Sequence, residues 1–346
     1  MIDANFNRAR EGLRVLEDLA RFEAQDAGLA REGKELRHAL TAAVEGLGFS
    51  GLERVASRDT PGDVGTTIST EGERSRASLD AVAAAAAARV SEALRVIEEL
   101  AKTREQGGTF EGLRYRVYTL EREVRLCLAR KGRQWALCVL LTESLCDHWS
   151  WRDIVAQALI GGADCVQLRE KGMTDRALVA RARELVELIA GRADVIINDR
   201  VDVALAAGAT GVHVGQTDLP VRIVREVSRG RLIVGISAST LSEVDQEADY
   251  VGLGPMFATT TKHKPTIAGP NLIREFVAAP GVCNLPHVAI GGISPENVGE
   301  LVSSGCCGVA VSSAVCGAQE PAEVSQALVA ALESNRKART GRGWSA

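Results

Sequence analysis

Hydrophobic and polar positions along this chain follow two different rhythms. Over roughly the first 130 residues, apolar side chains recur at helical spacing. Phe6, Leu13, Leu16, Leu19 and Ala20 share one face, while Arg8, Glu11, Arg14, Glu17 and Asp18 take the other positions. The pattern predicts amphipathic helices, and it repeats. Residues 8–17 are echoed by residues 89–98, with Leu13-Arg14-Val15 matched by Leu94-Arg95-Val96 and Glu17 by Glu98. Each copy is followed by a helix carrying a Leu-Arg pair, Leu36-Arg37 in the first and Leu113-Arg114 in the second. A pseudo-repeated pair of helical hairpins, forming a small all-α bundle over residues 1–130, accounts for both features. The alanine run at 83–88 suits close helix contact rather than chemistry.

From Trp135 onward the rhythm becomes strand, turn, helix, repeated. Short apolar runs at 135–141, 165–168, 195–197, 211–214, 232–236, 250–253, 287–290 and 308–311 predict strands. Between them, 154–159, 178–189, 221–227, 272–277 and 298–302 carry helical spacing. This alternation forces parallel pairing and predicts an α/β unit, a (β/α)8 TIM barrel spanning 134–334. Residues 335–346, rich in Arg, Lys, Ser and Gly, read as a flexible tail. Between the helical copies, 57–67 is all turn and polar residues, which suits either a functional loop or a plain connector.

Composition narrows the function classes. Hydrophobic residues at 46% and charged residues at 25% describe an ordinary globular protein, and a net charge of −4 argues against nucleic acid or an anionic membrane as a general partner. An anionic ligand must therefore be met by local cations. The 8 cysteines form no CxxC pair and no Cys/His spacing suited to zinc, so they read as small buried hydrophobes. No leader-like N-terminus and no apolar run near the roughly 20 residues needed to span a bilayer is present, so a cytoplasmic location is expected.

In a barrel, polar residues just after the strands converge on one site. After the second strand, Gln167, Arg169 and Lys171 present a planar amide and two cations where an apolar run stops. After the third and fourth come Asn198-Asp199 and Gln216-Thr217-Asp218. Asp199 and Asp218 suit an oxygen-ligated Mg2+ holding a pyrophosphate, and the alternative makes each a helix cap. The fifth strand brings Ser237, which also suits a cap. After the sixth, Thr259-Thr260-Thr261-Lys262 is rich in donors suited to phosphate. The seventh and eighth end in Gly291-Gly292 and Ser312-Ser313, where close backbone approach favours a second phosphate. His213, inside the fourth strand, reads as packing or as a hydrogen-bond support rather than a catalytic base. No Ser/His/Asp or Cys/His set appears, and no Gly-x-Gly-x-x-Gly opens a helix, so nucleophilic hydrolysis and nicotinamide chemistry are unsupported.

These blocks, taken in order from Gln167–Lys171 through Asn198-Asp199-Arg200, 211–218, Gly254-Pro255, 259–262 and 290–293 to 308–313, resemble the thiamine phosphate synthase family. The resemblance covers 134–334. It implies a transferase that joins hydroxymethylpyrimidine diphosphate to a thiazole phosphate, giving thiamine phosphate and pyrophosphate. It implies Mg2+ on Asp199 and Asp218. Gln167, Arg169, Lys171, Asn198, Ser237 and Lys262 would hold the pyrimidine diphosphate, with Lys171, Ser237 and Lys262 in the catalytic places. Thr259, Thr261, Gly292, Ser312 and Ser313 would hold the thiazole phosphate. The chain departs from the family pattern at Ser239, where a histidine is frequent, at Glu143, where aspartate is usual, and at Ala258, where proline is frequent. The start at Asn5-Phe6-Asn7-Arg8, with the 57–65 loop, is similar to a helical domain fused to such synthases, which implies either a hydroxymethylpyrimidine phosphate kinase or a scaffold. A thiazole-aromatising isomerase and a non-catalytic precursor sensor are the rival readings of the barrel. The expected partners are the two small-molecule substrates, with self-association into a homo-oligomer left open.

Overall fold

The apolar stripes of the first region become long helices packed on one another. In this computed structural model, residues 1–24, 26–49, 51–57, 76–130, 133–258 and 267–340 are described. The chain divides into two units, Met1–Lys131 and Gly132–Ala346.

In the first unit, α1 (Ile2–Asp18) continues through a π-helical turn at Leu19–Glu23 and is followed by α2 (Ala27–Gly46), the short α3 (Gly51–Ala56), α4 (Leu79–Lys102) and α5 (Gly107–Arg130). Asp26 caps α2 by accepting from the amides of Gly28 and Leu29, and Ser78 caps α4 by accepting from Ala81. The predicted stripe Phe6, Leu13, Leu16, Leu19 and Ala20 is buried, together with Leu36, Leu40, Val90, Leu94, Ile97, Val117 and Leu120. Each large side chain removed from water there contributes on the order of 2 kcal/mol. The alanine run serves close approach, as Ala83, Ala86 and Ala87 are fully buried. Gly12 faces them, and a Cβ on it would lie 2.6 Å from Val90 Cγ2 and 2.8 Å from the Ala86 carbonyl oxygen. The repeat extends to polar groups. Arg37 Nε donates to Glu17 at 2.6 Å, and Arg114 Nε donates to Glu98 at 3.2 Å.

The second unit is a closed parallel barrel with its strands in sequence order: β1 (Leu137–Leu141), β2 (Cys165–Leu168), β3 (Asp194–Asn198), β4 (Gly211–Val214), β5 (Ile233–Ala238), β6 (Tyr250–Leu253), β7 (His287–Ile290) and β8 (Val309–Val311). Between and after them lie α6 (Trp151–Ile160), α7 (Asp175–Ile189), α8 (Val201–Ala207), α9 (Val221–Ser228), α10 (Asn271–Ala278), α11 (Val298–Ser303), α12 (Ser313–Cys316) and α13 (Pro321–Thr340). Side chains alternate across each strand. In β1, Leu137, Val139 and Leu141 join the core under the helices, while Cys138 and Leu140 point inward with Cys165, Ile196, Ile233, Tyr250, Val288 and Ala310.

The amino-terminal end of the barrel is closed by structure rather than chemistry. Trp135 meets Tyr250 edge-on with centroids 4.7 Å apart, and its indole N–H donates to Asp194 at 2.8 Å. Asp164 accepts the amides of Ala136 and Leu137, and Asp249 accepts that of Val234. The carboxyl end is thereby left as the place for a ligand. The final helix runs to Thr340, into the first part of the 335–346 stretch that composition marks as a tail, and Leu328 and Leu332 ahead of it are buried in the barrel core. α8 and α12 are shorter than the periodicity argument resolves.

Candidate active site

At the carboxyl ends of the strands lies a cavity of about 380 Å³. It is lined on one arc by Gln167 and Arg169 after β2, Asn198 at the end of β3, His213 and Ser237. The opposite arc is Gly291 and Gly292 after β7 and Ser312 and Ser313 after β8. Seven of the residues singled out from the sequence, Gln167, Arg169, Asn198, Ser237, Gly292, Ser312 and Ser313, thus line one cavity. Lys171, Asp199 and Asp218 are not among the lining residues, and Thr259, Thr261 and Lys262 lie outside the described residues.

Local structure explains several placements. Strand β2 ends at Leu168, and the Arg169 amide still donates to Leu141 at 2.9 Å, so its side chain leaves the sheet beside the cavity. Glu170 is structural: it accepts the amide of Glu143 at 2.7 Å and ties the loops after β1 and β2 together. Gly291 and Gly292 sit at φ +105° and +63°, a region where a side chain is strained. A Cβ on Gly291 would also lie 2.7 Å from Pro255 Cβ, so the loop after β7 presses against that after β6. Ser312 Oγ donates to the Leu140 carbonyl at 2.8 Å, pinning the start of α12 to β1.

The two aspartates are not helix caps. The residues preceding α8 and α9 are Arg200 and Pro220, and neither makes a side-chain capping bond. Asp199 instead adopts φ +63°, a left-handed conformation, while its amide donates to the His213 carbonyl at 2.8 Å. A non-glycine residue held there is the sort of strain found at functional positions. Asp218 is exposed, and one oxygen accepts the Gly215 amide at 2.7 Å. Strands β3 and β4 are neighbours, paired at Asn198 and His213, so both carboxylates belong to adjacent loops. Two carboxylates, one of them oriented by a backbone donor, match the oxygen-only, low-ligand-count demand of Mg2+ when phosphate and water complete the shell. Among the described residues no cluster of three or more His, Cys, Asp or Glu side chains offers a site built from protein ligands alone.

Periodicity marks Tyr250 only as the first residue of a strand. Its ring lines the cavity floor, and its hydroxyl lies 2.8 Å from His213 Nδ1, while His213 Nε2 lies 2.9 Å from Ser237 Oγ. Burial pushes the Tyr250 phenol well above its ordinary value, so it stays neutral. Glycines make the room. Gly235 is the register partner of Tyr250, and Gly252 faces His213 with 3.0 Å between a built Cβ and Cε1. The sequence signal was a polar aromatic opening an otherwise apolar strand, with glycines at 235 and 252.

A closed (β/α)8 barrel with Arg169 and two amides on one arc of its carboxyl end, and glycines and serines on the other, is the architecture of an enzyme acting on small molecules. Comparisons carry the assignment further. Residues 137–315 match the thiamine monophosphate synthase model, and residues 1–123 match the ThiD2 family. A thiamine-phosphate synthase of Rhodopirellula baltica is 40% identical over 91% of this chain and 87% of its own length. One from Thermosynechococcus vestitus is 38% identical over 96% and 94%. Among solved structures, thiamine phosphate pyrophosphorylase from Pyrococcus furiosus shares 32% identity over 58% of this chain and 96% of its own, with a TM-score of 0.51. The chain belongs to the thiamine-phosphate synthase family, and so to the transferases that act on small molecules. Among the described residues no helix is long and apolar enough to cross a membrane.

Proposed function

We propose that the barrel joins hydroxymethylpyrimidine diphosphate to a thiazole phosphate, releasing thiamine phosphate and pyrophosphate. The observation that carries this reading is the two-arc cavity, with Gln167, Arg169, Asn198 and Ser237 facing Gly292, Ser312 and Ser313. One arc suits a diphosphate attached to a planar ring, and the other a metal-free monophosphate. In the reaction, the bond between the pyrimidine methylene and the diphosphate oxygen breaks, and its electron pair leaves with pyrophosphate. The thiazole nitrogen lone pair then forms the new C–N bond. No protein nucleophile is required.

The chain's own residues hold and orient. Arg169 and Lys171, with Lys262, neutralise the departing diphosphate; Gln167 and Asn198 hold the ring end; Ser237 donates or accepts beside it. Thr259 and Thr261 complete the grip on the thiazole phosphate begun by Gly292, Ser312 and Ser313. Fixed charges preorganised around a cavity stabilise developing negative charge more than bulk solvent does. Asp199 and Asp218 would hold Mg2+, which when bound supplies further charge neutralisation at the diphosphate. The 8 cysteines are free thiols, which suits a reducing cytoplasmic location.

Purified protein given both precursors and Mg2+ should release pyrophosphate in step with thiamine phosphate. Ligand-dependent stabilisation without product would favour a sensor, and rearrangement of a thiazole precursor alone would favour the isomerase reading; either sinks the proposal.

For the first unit, which matches the ThiD2 family, we infer a kinase that phosphorylates the pyrimidine monophosphate and so feeds the barrel. Asn7, one of the residues expected to matter, hydrogen-bonds Asp3 at 3.2 Å within α1, while Arg58 and Asp59 lie outside the described residues. The full chain with ATP and the pyrimidine monophosphate should yield ADP. If no ADP forms, the unit is a scaffold.

A further inference from the structure

The proposed reaction assigns no task to His213 or Tyr250, yet both are buried at the cavity floor and joined to Ser237. Two contacts define a line: Tyr250 hydroxyl to His213 Nδ1 at 2.8 Å, and His213 Nε2 to Ser237 Oγ at 2.9 Å. Such a line has two opposite polarities, and they have different consequences for a ligand. If the phenol donates to Nδ1, the neutral imidazole carries its proton on Nε2 and donates to Ser237. The serine oxygen is then occupied as an acceptor, and its own proton is directed away from the ring. In the reverse polarity Ser237 spends its proton on Nε2 and can only accept.

The surroundings select the first polarity. Tyr250 is 2% exposed, and a buried O–H that fails to donate forfeits the full cost of its desolvation. Among the described residues, His213 Nδ1 is the group hydrogen-bonded to that hydroxyl, at 2.8 Å. The glycines at 235 and 252 admit the two rings at this spacing.

We propose that His213, with its tautomer fixed by Tyr250, is a positioning residue that holds Ser237 as a hydrogen-bond donor facing the cavity, toward the pyrimidine diphosphate. The proposal rests on the reaction assigned above. It makes Ser237 the end of a directional line running from Tyr250 through His213. A donor serves an anionic or lone-pair-bearing group of the diphosphate substrate, and repels nothing on it.

Imidazole ¹⁵N NMR of the ligand-free protein reads the tautomer directly. The Nε2–H form is expected, and Tyr250→Phe should convert it to a mixture. An Nδ1–H form in the native chain overturns the proposal. Kinetics supply the second arm. Tyr250→Phe and His213→Ala should each lower kcat/KM for the pyrimidine diphosphate about tenfold or more, as loss of a hydrogen bond to a charged group does. KM for the thiazole phosphate should stay within about twofold, since the other arc is untouched; a general loosening of the barrel would move both. His213→Gln, which keeps a side-chain N–H in place of Nε2–H, should recover part of the loss, and His213→Ala combined with Ser237→Ala should be no worse than Ser237→Ala alone. Additive losses, or equal shifts for both substrates, refute the line. Absence of turnover in the native chain removes the assigned reaction, and with it the substrate named here; the tautomer still decides the polarity.

Discussion

Gly235 on β5 and Tyr250 on β6 are register partners, and the tyrosine ring fills the space where any side chain at 235 would stand. The cavity floor is therefore set by a missing Cβ. Gly235→Ala should force the ring away from His213 and cost about 1–3 kcal/mol, the usual penalty of overpacking. Gly252→Ala, whose Cβ meets His213 Cε1 at 3.0 Å, should cost less. Denaturant midpoints of the two variants test the order, and a Gly235→Ala protein as stable as the parent would contradict this account of the floor.

Asp199 and Asp218 lie outside the cavity lining, on neighbouring loops, and neither caps a helix. If they hold Mg2+, Asp199→Asn and Asp218→Asn should each raise the Mg2+ concentration for half-maximal pyrophosphate release. Even partners beyond the ligand shell are worth roughly tenfold or more in metal affinity, so a ligand should exceed that. Unchanged Mg2+ dependence in both variants would remove them from the metal site.

The paired salt bridges of the bundle are unequal in support. Glu17 is held by Arg37 at 2.6 Å and more loosely by Arg14 at 3.5 Å. Glu98 has Arg114 at 3.2 Å, Arg95 at 2.7 Å and Lys102 at 3.6 Å. Removing one partner from a buried pair leaves an uncompensated charge. Arg37→Ala should thus destabilise, by less than the roughly 3–5 kcal/mol of a fully buried pair because Arg14 remains, and by more than Arg114→Ala does. The 4 tryptophans all lie in the second unit, so helical circular dichroism is the appropriate probe.

Burial pushes the Cys306 thiol up to about 12 from a value of 9.0. Below pH 9 the thiol is protonated in folded and unfolded chain alike. Between pH 9 and about 12 the unfolded chain gives up this proton while the folded chain keeps it, so stability falls as pH rises through that window. Cys306→Ala should show a smaller loss of stability between pH 9 and 11 than the parent, measured by urea unfolding at each pH.

Much of this architecture was legible because periodicity is a local property. Residues 165–168, 211–214, 250–253 and 287–290 are strands with the bounds the apolar runs predict. At β1 and β3 the bounds move by one or two residues, where flanking Asp194, Asn198 and Trp135 join or leave the ladder for reasons of tertiary hydrogen bonding. The bundle repeat was visible in the Glu17 and Glu98 copies, and the helix after each copy supplies the arginine. The last helix extends into 335–340, since polar composition there says nothing of the packing that Leu328 and Leu332 provide before it.

The sequence by itself determined two units, eight alternating strands and the polar residues that end them, because side-chain spacing dictates which faces can be buried. It also supplied the ordered blocks by which the family is recognised. Only the tertiary structure decided which of those residues meet. Gln167, Asn198 and Ser237 stand on three strands and Ser312 just after a fourth, far apart in the chain, and barrel closure alone puts them around one cavity. The line from Tyr250 through His213 to Ser237 is likewise a product of register between β4, β5 and β6, with glycines opening the space. Hydrogen-bond direction depends on distances of about 3 Å between groups remote in sequence, and no spacing of residues along a chain encodes that.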